Sequence, residues 1–246
     1  RRQRQMCIRD RDRDAYGIYV QSPFPKENRR ILIGSDVSSR YTRRNRAEYR
    51  KIAGYIARCV WQRQGNYMVF FPSYRLMEDV LQVYEEEFSV DWVRCVCQTP
   101  DMTEQEREGF LEEFQEREGT LVGFCVLGGI FSEGVDLTGE SLIGAVIVGT
   151  GLPQIGSQRE ILKEYYDKKN HCGFDYAYRY PGMNKVLQAA GRVIRTKEDK
   201  GVILLLDDRF WDRDYQEIFP REWQDRTGCR LDTVEGAVET FWKRFT

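Results

Sequence analysis

Six short apolar runs punctuate this chain, at Arg30–Ile33, Tyr67–Phe71, Trp92–Val96, Leu121–Leu127, Ile143–Val148 and Gly201–Leu206. A strand that reads as a continuous apolar run, rather than as an alternation, is buried on both faces. Between the runs lie stretches with helical spacing: Ile52, Ala53, Ile56, Ala57 and Val60 in one, Leu76–Phe88 in the next, then the acidic Thr103–Gln115. Doubly buried strands alternating with helices call for an α/β fold, a mostly parallel sheet with helices on both faces. A further short run, Ile18–Val20, precedes the first and is split from it by Ser22-Pro23-Phe24-Pro25.

The breaks between runs are as informative as the runs. Pro72-Ser73-Tyr74 ends the second, and Ser73 is suited to cap the helix that follows. After the fourth comes Gly128–Asp136, with three glycines, Ser132 and the carboxylates Glu133 and Asp136. Gly149-Thr150-Gly151-Leu152-Pro153 closes the fifth. Functional loops of open parallel sheets lie at the carboxyl ends of the strands, so these three should converge on one edge.

Length and charge set outer bounds. The chain has 246 residues and a formal net charge of −1, enough for a sizeable core. No apolar run is long enough to span a membrane and no apolar signal core opens the chain, so a cytoplasmic protein without a membrane partner is expected. The seven scattered cysteines suit reduced core thiols rather than a disulfide framework. His171, the one histidine, neighbours Cys172 without the partner spacing of a metal site, and Cys95 and Cys97 read as packing on a strand. No metal site is expected. Basic residues dominate up to Gln64 and acidic ones from Leu76 to Glu140, so one end could face a polyanion. Arg1–Asp14 alternate Arg with Asp and read as a disordered extension, which leaves 15–246 as one domain with a polar insertion near 154–182.

The most specific stretch is Gln188-Ala-Ala-Gly-Arg-Val-Ile-Arg195. Read as a helix, its Arg192 and Arg195 stand three residues apart on one side and can meet the same anion, with Gln188 adding an uncharged donor and acceptor. Gly191 would let another backbone approach. Small and apolar neighbours set this apart from a solvated charge run.

Taken together, these stretches resemble the second RecA-like domain of the DinG/XPD group of superfamily-two DNA helicases. Phe70-Phe71-Pro72-Ser73-Tyr74 matches helicase motif IV, Ser132-Glu133-Gly134-Val135-Asp136 motif V, and Gln188–Arg195 motif VI; Asp207-Asp208-Arg209 also follows the family pattern. The resemblance implies that Arg192 and Arg195 act as arginine fingers on a nucleotide bound between two RecA-like domains, with Gln188 positioning water or the γ-phosphate. It assigns Gly191, Glu133, Gly134 and Asp136 to the nucleotide side, and Ser73, Tyr74, Thr150, Gly151 and Leu152 to single-stranded DNA. It also implies ATP and Mg²⁺ held mainly by an N-terminal RecA-like domain, movement 5′ to 3′, and in many relatives an iron–sulfur cluster outside the region matched here. The chain itself contains no G-x-x-x-x-G-K-[ST] phosphate loop, so the expectation is one part of a larger motor, inactive alone. Two rival readings are a catalytically inert RecA-like module that binds nucleic acid or a partner, and a metal-dependent nuclease built on Glu133, Asp136, Asp207 and Asp208.

Overall fold

A computed structural model describes residues 22–115, 119–131 and 141–245. Among them are seven strands: β1 (Arg29–Gly34), β2 (Asn66–Phe71), β3 (Val93–Cys97), β4 (Thr120–Val126), β5 (Gly144–Val148), β6 (Gly201–Leu206) and β7 (Thr227–Cys229). They form one sheet in the order β3-β4-β2-β5-β6-β1-β7, with every neighbouring pair parallel. Each of the six expected runs is a strand. The edge strand β7, only three residues long and lacking an apolar run, carried no such signal. The run at Ile18–Val20, the Arg1–Asp14 extension and the Ser132–Asp136 motif lie outside the described residues.

The helices are α1 (Arg46–Val60), α2 (Tyr74–Glu87), α3 (Glu104–Glu113), α4 (Ser157–Asn170), α5 (Tyr180–Ala190), the one-turn α6 (Arg213–Gln216) and α7 (Val234–Trp242). Their starts follow local chemistry: Asn45 caps α1, Ser73 caps α2, and Thr103 with Glu106 forms a capping box on α3. Successive strand residues feed opposite faces. Tyr67, Val69 and Phe71 of β2 pack with α1, α2 and α7, whereas Met68 and Phe70 pack with Phe110 of α3 and with Met183, Val186 and Ala189 of α5. Both faces are therefore covered, which is why the strands needed to be apolar throughout.

The stretch read as an insertion is not uniform. Helix α4 buries no residue, but a π-helical turn, Asp175–Arg179, buries Tyr176, Ala177 and Tyr178 and runs directly into α5. Its last residues thus belong to the core. His171 is exposed, with the left-handed backbone that ends α4.

Candidate nucleotide and nucleic-acid surfaces

At the carboxyl edge of the sheet, loops from four strands meet. A Cβ added at Gly149 would lie 2.5 Å from Ser39 Oγ and 3.7 Å from Pro72 Cγ, so the loops after β1, β2 and β5 converge there. The loop after β6 joins them through Asp207, whose side chain is 0 % exposed. Its Oδ2 accepts from Ser39 N at 2.9 Å and Ser39 Oγ at 2.6 Å, while Oδ1 accepts from Arg209 Nε at 2.7 Å. Burial pushes this carboxyl up, but Arg209 and the Ser39 donors outweigh it and hold it below the usual range. With both oxygens engaged by protein donors, Asp207 is a structural anchor and poorly suited to the metal ligation that the nuclease reading required. Glu133 and Asp136 of that reading lie outside the described residues.

Ser73 and Tyr74 stand on this edge. The Ser73 hydroxyl accepts from Leu76 N at 3.4 Å, leaving its N-cap geometry as expected. The Tyr74 hydroxyl accepts from Gln98 Nε2 at 2.8 Å, and the same amide's Oε1 accepts from Val126 N at 3.0 Å. Gln98, 2 % exposed, therefore ties the loop after β2 to the end of β4, just ahead of Gly128. In the third loop, Thr150 turns inward, with its hydroxyl 3.4 Å from Tyr215 Oη, and Gly151 is buried. Leu152 is the first half-exposed side chain there.

The loop at Thr150–Leu152 rests directly on α5. A Cβ at Gly182 would lie 2.6 Å from Thr150 O and 3.1 Å from Leu152 N, and one at Gly151 would lie 2.7 Å from Gly182 O. Only glycine permits this backbone contact, and Gly151 also needs its φ of 65°. From that seam α5 carries Lys185 and Gln188, three residues apart and so on one side, toward its other end. Lys185 packs on Gly128, where an added Cβ would come within 2.8 Å of its Nζ. Gln188 is exposed.

The helix expected through Arg195 stops at Ala190. Arg192 and Arg195 instead occupy a loop whose backbone is pinned by Asp199: Oδ2 accepts from Arg195 N and from Thr196 N, each at 2.7 Å. The physical reason is packing. Val193 fills the space over Gly201 at the amino end of β6, where an added Cβ would meet Val193 Cγ1 at 2.2 Å, and a continuing helix would carry it away. Gly191 keeps ordinary helical backbone, and an added Cβ would meet only Leu187 O and Gln188 O among the described residues, so no second segment approaches it. Arg192 is 6 % exposed and Arg195 half-buried. Burial, with the neighbouring Cys97, raises the Cys125 thiol well above its ordinary value, and the Arg192 guanidinium opposes the rise. Along α5, the arginine loop follows the Gly182 seam after roughly 12 Å of helix at 1.5 Å per residue.

Residues 56–226 match the sequence profile of the helicase C-terminal domain. The chain belongs to that family. Over 189 residues it is 30% identical to the ATP-dependent DNA helicase XPD of Sulfolobus acidocaldarius, covering 72% of this chain and 31% of the relative. A probable ATP-dependent helicase of Methanocaldococcus jannaschii is 29% identical over 206 residues, or 79% of this chain and 31% of the relative. An XPD helicase structure superposes with a TM-score of 0.64 at 24% identity, over 82% of this chain and 35% of that one. A yeast Dbp5 structure bound to RNA and ADP BeF3 reaches 0.55 at 13% identity over 99% of this chain and 52% of that one; both establish the shared fold. The chain spans about a third of the length of these two curated relatives. Among the described residues no helix is long and apolar enough to cross a membrane, and no group of three His, Cys, Asp or Glu is placed to hold a metal.

Sequence reasoning passed over Gln98, Lys185 and Ser39. Lys185 had a signal, its three-residue spacing from Gln188. Gln98 and Ser39 had none, because their partners are distant along the chain.

Proposed function

We propose that this helicase C-terminal domain is the second RecA-like half of an ATP-dependent DNA helicase, in which Arg192 and Arg195 stabilise the phosphates of a nucleotide held by an N-terminal RecA-like domain. What carries the reading is the continuity of α5, which joins the Thr150–Leu152 loop at Gly182 to Gln188 and the arginine loop at its other end. The donor set fits a triphosphate: two guanidiniums on a braced loop, and a neutral amide on the preceding turn. Arg192 is held by its burial, so its guanidinium needs little reorganisation to meet charge developing on a phosphoryl group. Arg195, half-exposed, is the one to reach across a domain cleft. Gln188 can orient a water or the γ-phosphate. Mg²⁺-ATP supplies the phosphoryl group and its divalent charge; Glu133, Gly134, Asp136 and Gly191 complete the nucleotide side.

Ser73, Tyr74 and the Thr150–Leu152 loop, at the carboxyl edge, form the single-strand side, with main-chain groups from Thr150 and Gly151 and the side chain of Leu152. Translocation 5′ to 3′ is part of the proposal, and the likeness to the XPD group supports it. Because the chain has no phosphate loop, it should not hydrolyse ATP without its partner domain.

The test is ATP hydrolysis by the intact protein with and without single-stranded DNA. Arg195→Ala should lower stimulated turnover by about 10³-fold or more with an unchanged melting temperature. Arg192→Ala should do the same, with some loss of stability because Arg192 is buried. Normal DNA-stimulated turnover in the Arg195 variant would refute the arginine-finger assignment.

A further inference from the structure

The strap between β1 and α1, Val37–Arg44, belongs to none of the elements assigned above. Val37, Ser38 and Ser39 are buried and the next four residues are exposed. The buried half is locked from three directions. Ser38 N donates to Glu48 Oε1 at 2.5 Å, Ser38 Oγ lies 3.1 Å from Asp208 Oδ1, and Ser39 is held by Asp207. The exposed half is therefore presented by a rigid base, which limits the ordering needed when it binds.

Its composition is Arg40-Tyr41-Thr42-Arg43-Arg44. Tyr41 is 80 % exposed, unusual for a ring that ordinarily buries its body, and Arg44 holds it with the guanidinium carbon 5.5 Å from the ring centroid. Arg40 and Arg43 stand 3.5 Å from Asp208, and Arg43 lies 3.3 Å from Glu48, with the carboxylates deeper than the guanidiniums. The two pairs with Asp208, loose and half-exposed, hold little energy, so phosphate oxygens can replace them. Arg46 and Arg50 of α1 do not compete, being paired with Glu86 and Glu87 of α2.

The strap is continuous with the loop after β2. Ser39 and Pro72 meet at Gly149. Burial and Asp79 raise the Tyr49 hydroxyl, and Arg44 of the strap and Arg75 of α2 both pull it down.

We propose that this strap binds single-stranded nucleic acid, with Tyr41 stacking on a base and Arg40, Arg43 and Arg44 holding the flanking phosphates. The inference rests on reading the carboxyl edge as the nucleic-acid side, and extends that surface from the β2 and β5 loops to β1. An aromatic platform between cations is the arrangement that binds single strands with little sequence preference.

The test is fluorescence anisotropy of labelled oligo-dT and oligo-U with the intact protein over a salt series. Tyr41→Ala should weaken binding of both about 10-fold, since stacking ignores the 2′-hydroxyl, whereas Tyr41→Phe should retain it. Arg40→Gln with Arg44→Gln should reduce the slope of log affinity against log salt by about 0.7 for each phosphate no longer neutralised. The exposure of Tyr41 predicts unchanged melting. Leu152→Ala reports separately on the β5 loop. If it weakens binding while Tyr41→Ala and the double arginine variant leave affinity and slope untouched, the strap inference fails and the proposed function stands. If the unsubstituted protein binds neither oligonucleotide, both fail.

Discussion

Replacing Gly182 with Ala tests the seam between α5 and the Thr150–Leu152 loop. Two opposed terms set its effect. Alanine in place of glycine favours a helix by about 1 kcal/mol. Against that, the new Cβ would stand 2.6 Å from Thr150 O, 3.0 Å from Gly151 C and 3.1 Å from Leu152 N, all backbone atoms of a loop. No side chain can swing aside, so the loop or the helix must shift, and overpacking of this kind costs about 1–3 kcal/mol. Net destabilisation of up to about 2 kcal/mol is expected. Gly236 supplies the control: it is likewise the third residue of its helix, α7, and an added Cβ there meets nothing within 4 Å. Gly236→Ala should therefore raise stability by about 1 kcal/mol. Urea unfolding measures both, provided the slopes match the unsubstituted protein. Equal stabilisation by the two substitutions would show that the seam is not a tight backbone contact, and would remove the joint at Gly182 on which the proposed function relies.

Two further outcomes follow from buried partners. Asp207→Asn should destabilise by about 3–5 kcal/mol at neutral pH, because it strands Arg209 and the Ser39 donors. The folded Asp207 value lies below the unfolded value of about 3.9, so its contribution is present above that pH and lost as pH falls through the folded value. The variant should accordingly show a flatter fall of stability on acidification, and an unaltered acid limb would contradict the assignment. Gln98→Leu should cost about 1–3 kcal/mol and weaken single-strand binding, whereas Gln98→Glu, still an acceptor for Val126 N and able to accept from the Tyr74 hydroxyl, should recover most of both. Equal defects in the two variants, by melting and anisotropy, would mean that Gln98 only fills space.

The parallel sheet was legible because doubly buried strands leave uninterrupted apolar runs, and Ser73 announced the start of α2 because capping involves residues three apart. The grouping of Arg192 and Arg195 with Gln188 near one end of α5 was legible too, as a motif. Their helical spacing was not: local pattern supports a helix through Arg195, and packing of Val193 over Gly201, with Asp199 taking the Arg195 and Thr196 amides, ends it at Ala190. The basic excess up to Gln64 suggested an end that could face a polyanion, but α2 brings Glu86 and Glu87 against Arg46 and Arg50 within it.

Sequence by itself determined six of the seven described strands, the start of α2, the doubly covered sheet and the motif order, since each depends on residues within a turn or two of one another. Tertiary structure decided which loops meet. Ser39 and Asp207 are 168 residues apart, and Gly151 and Gly182 belong to separate elements. Such contacts arise only once strand order places β1 beside β6, and β5 beside the helix that returns across it, because no local periodicity encodes which carboxyl ends become neighbours.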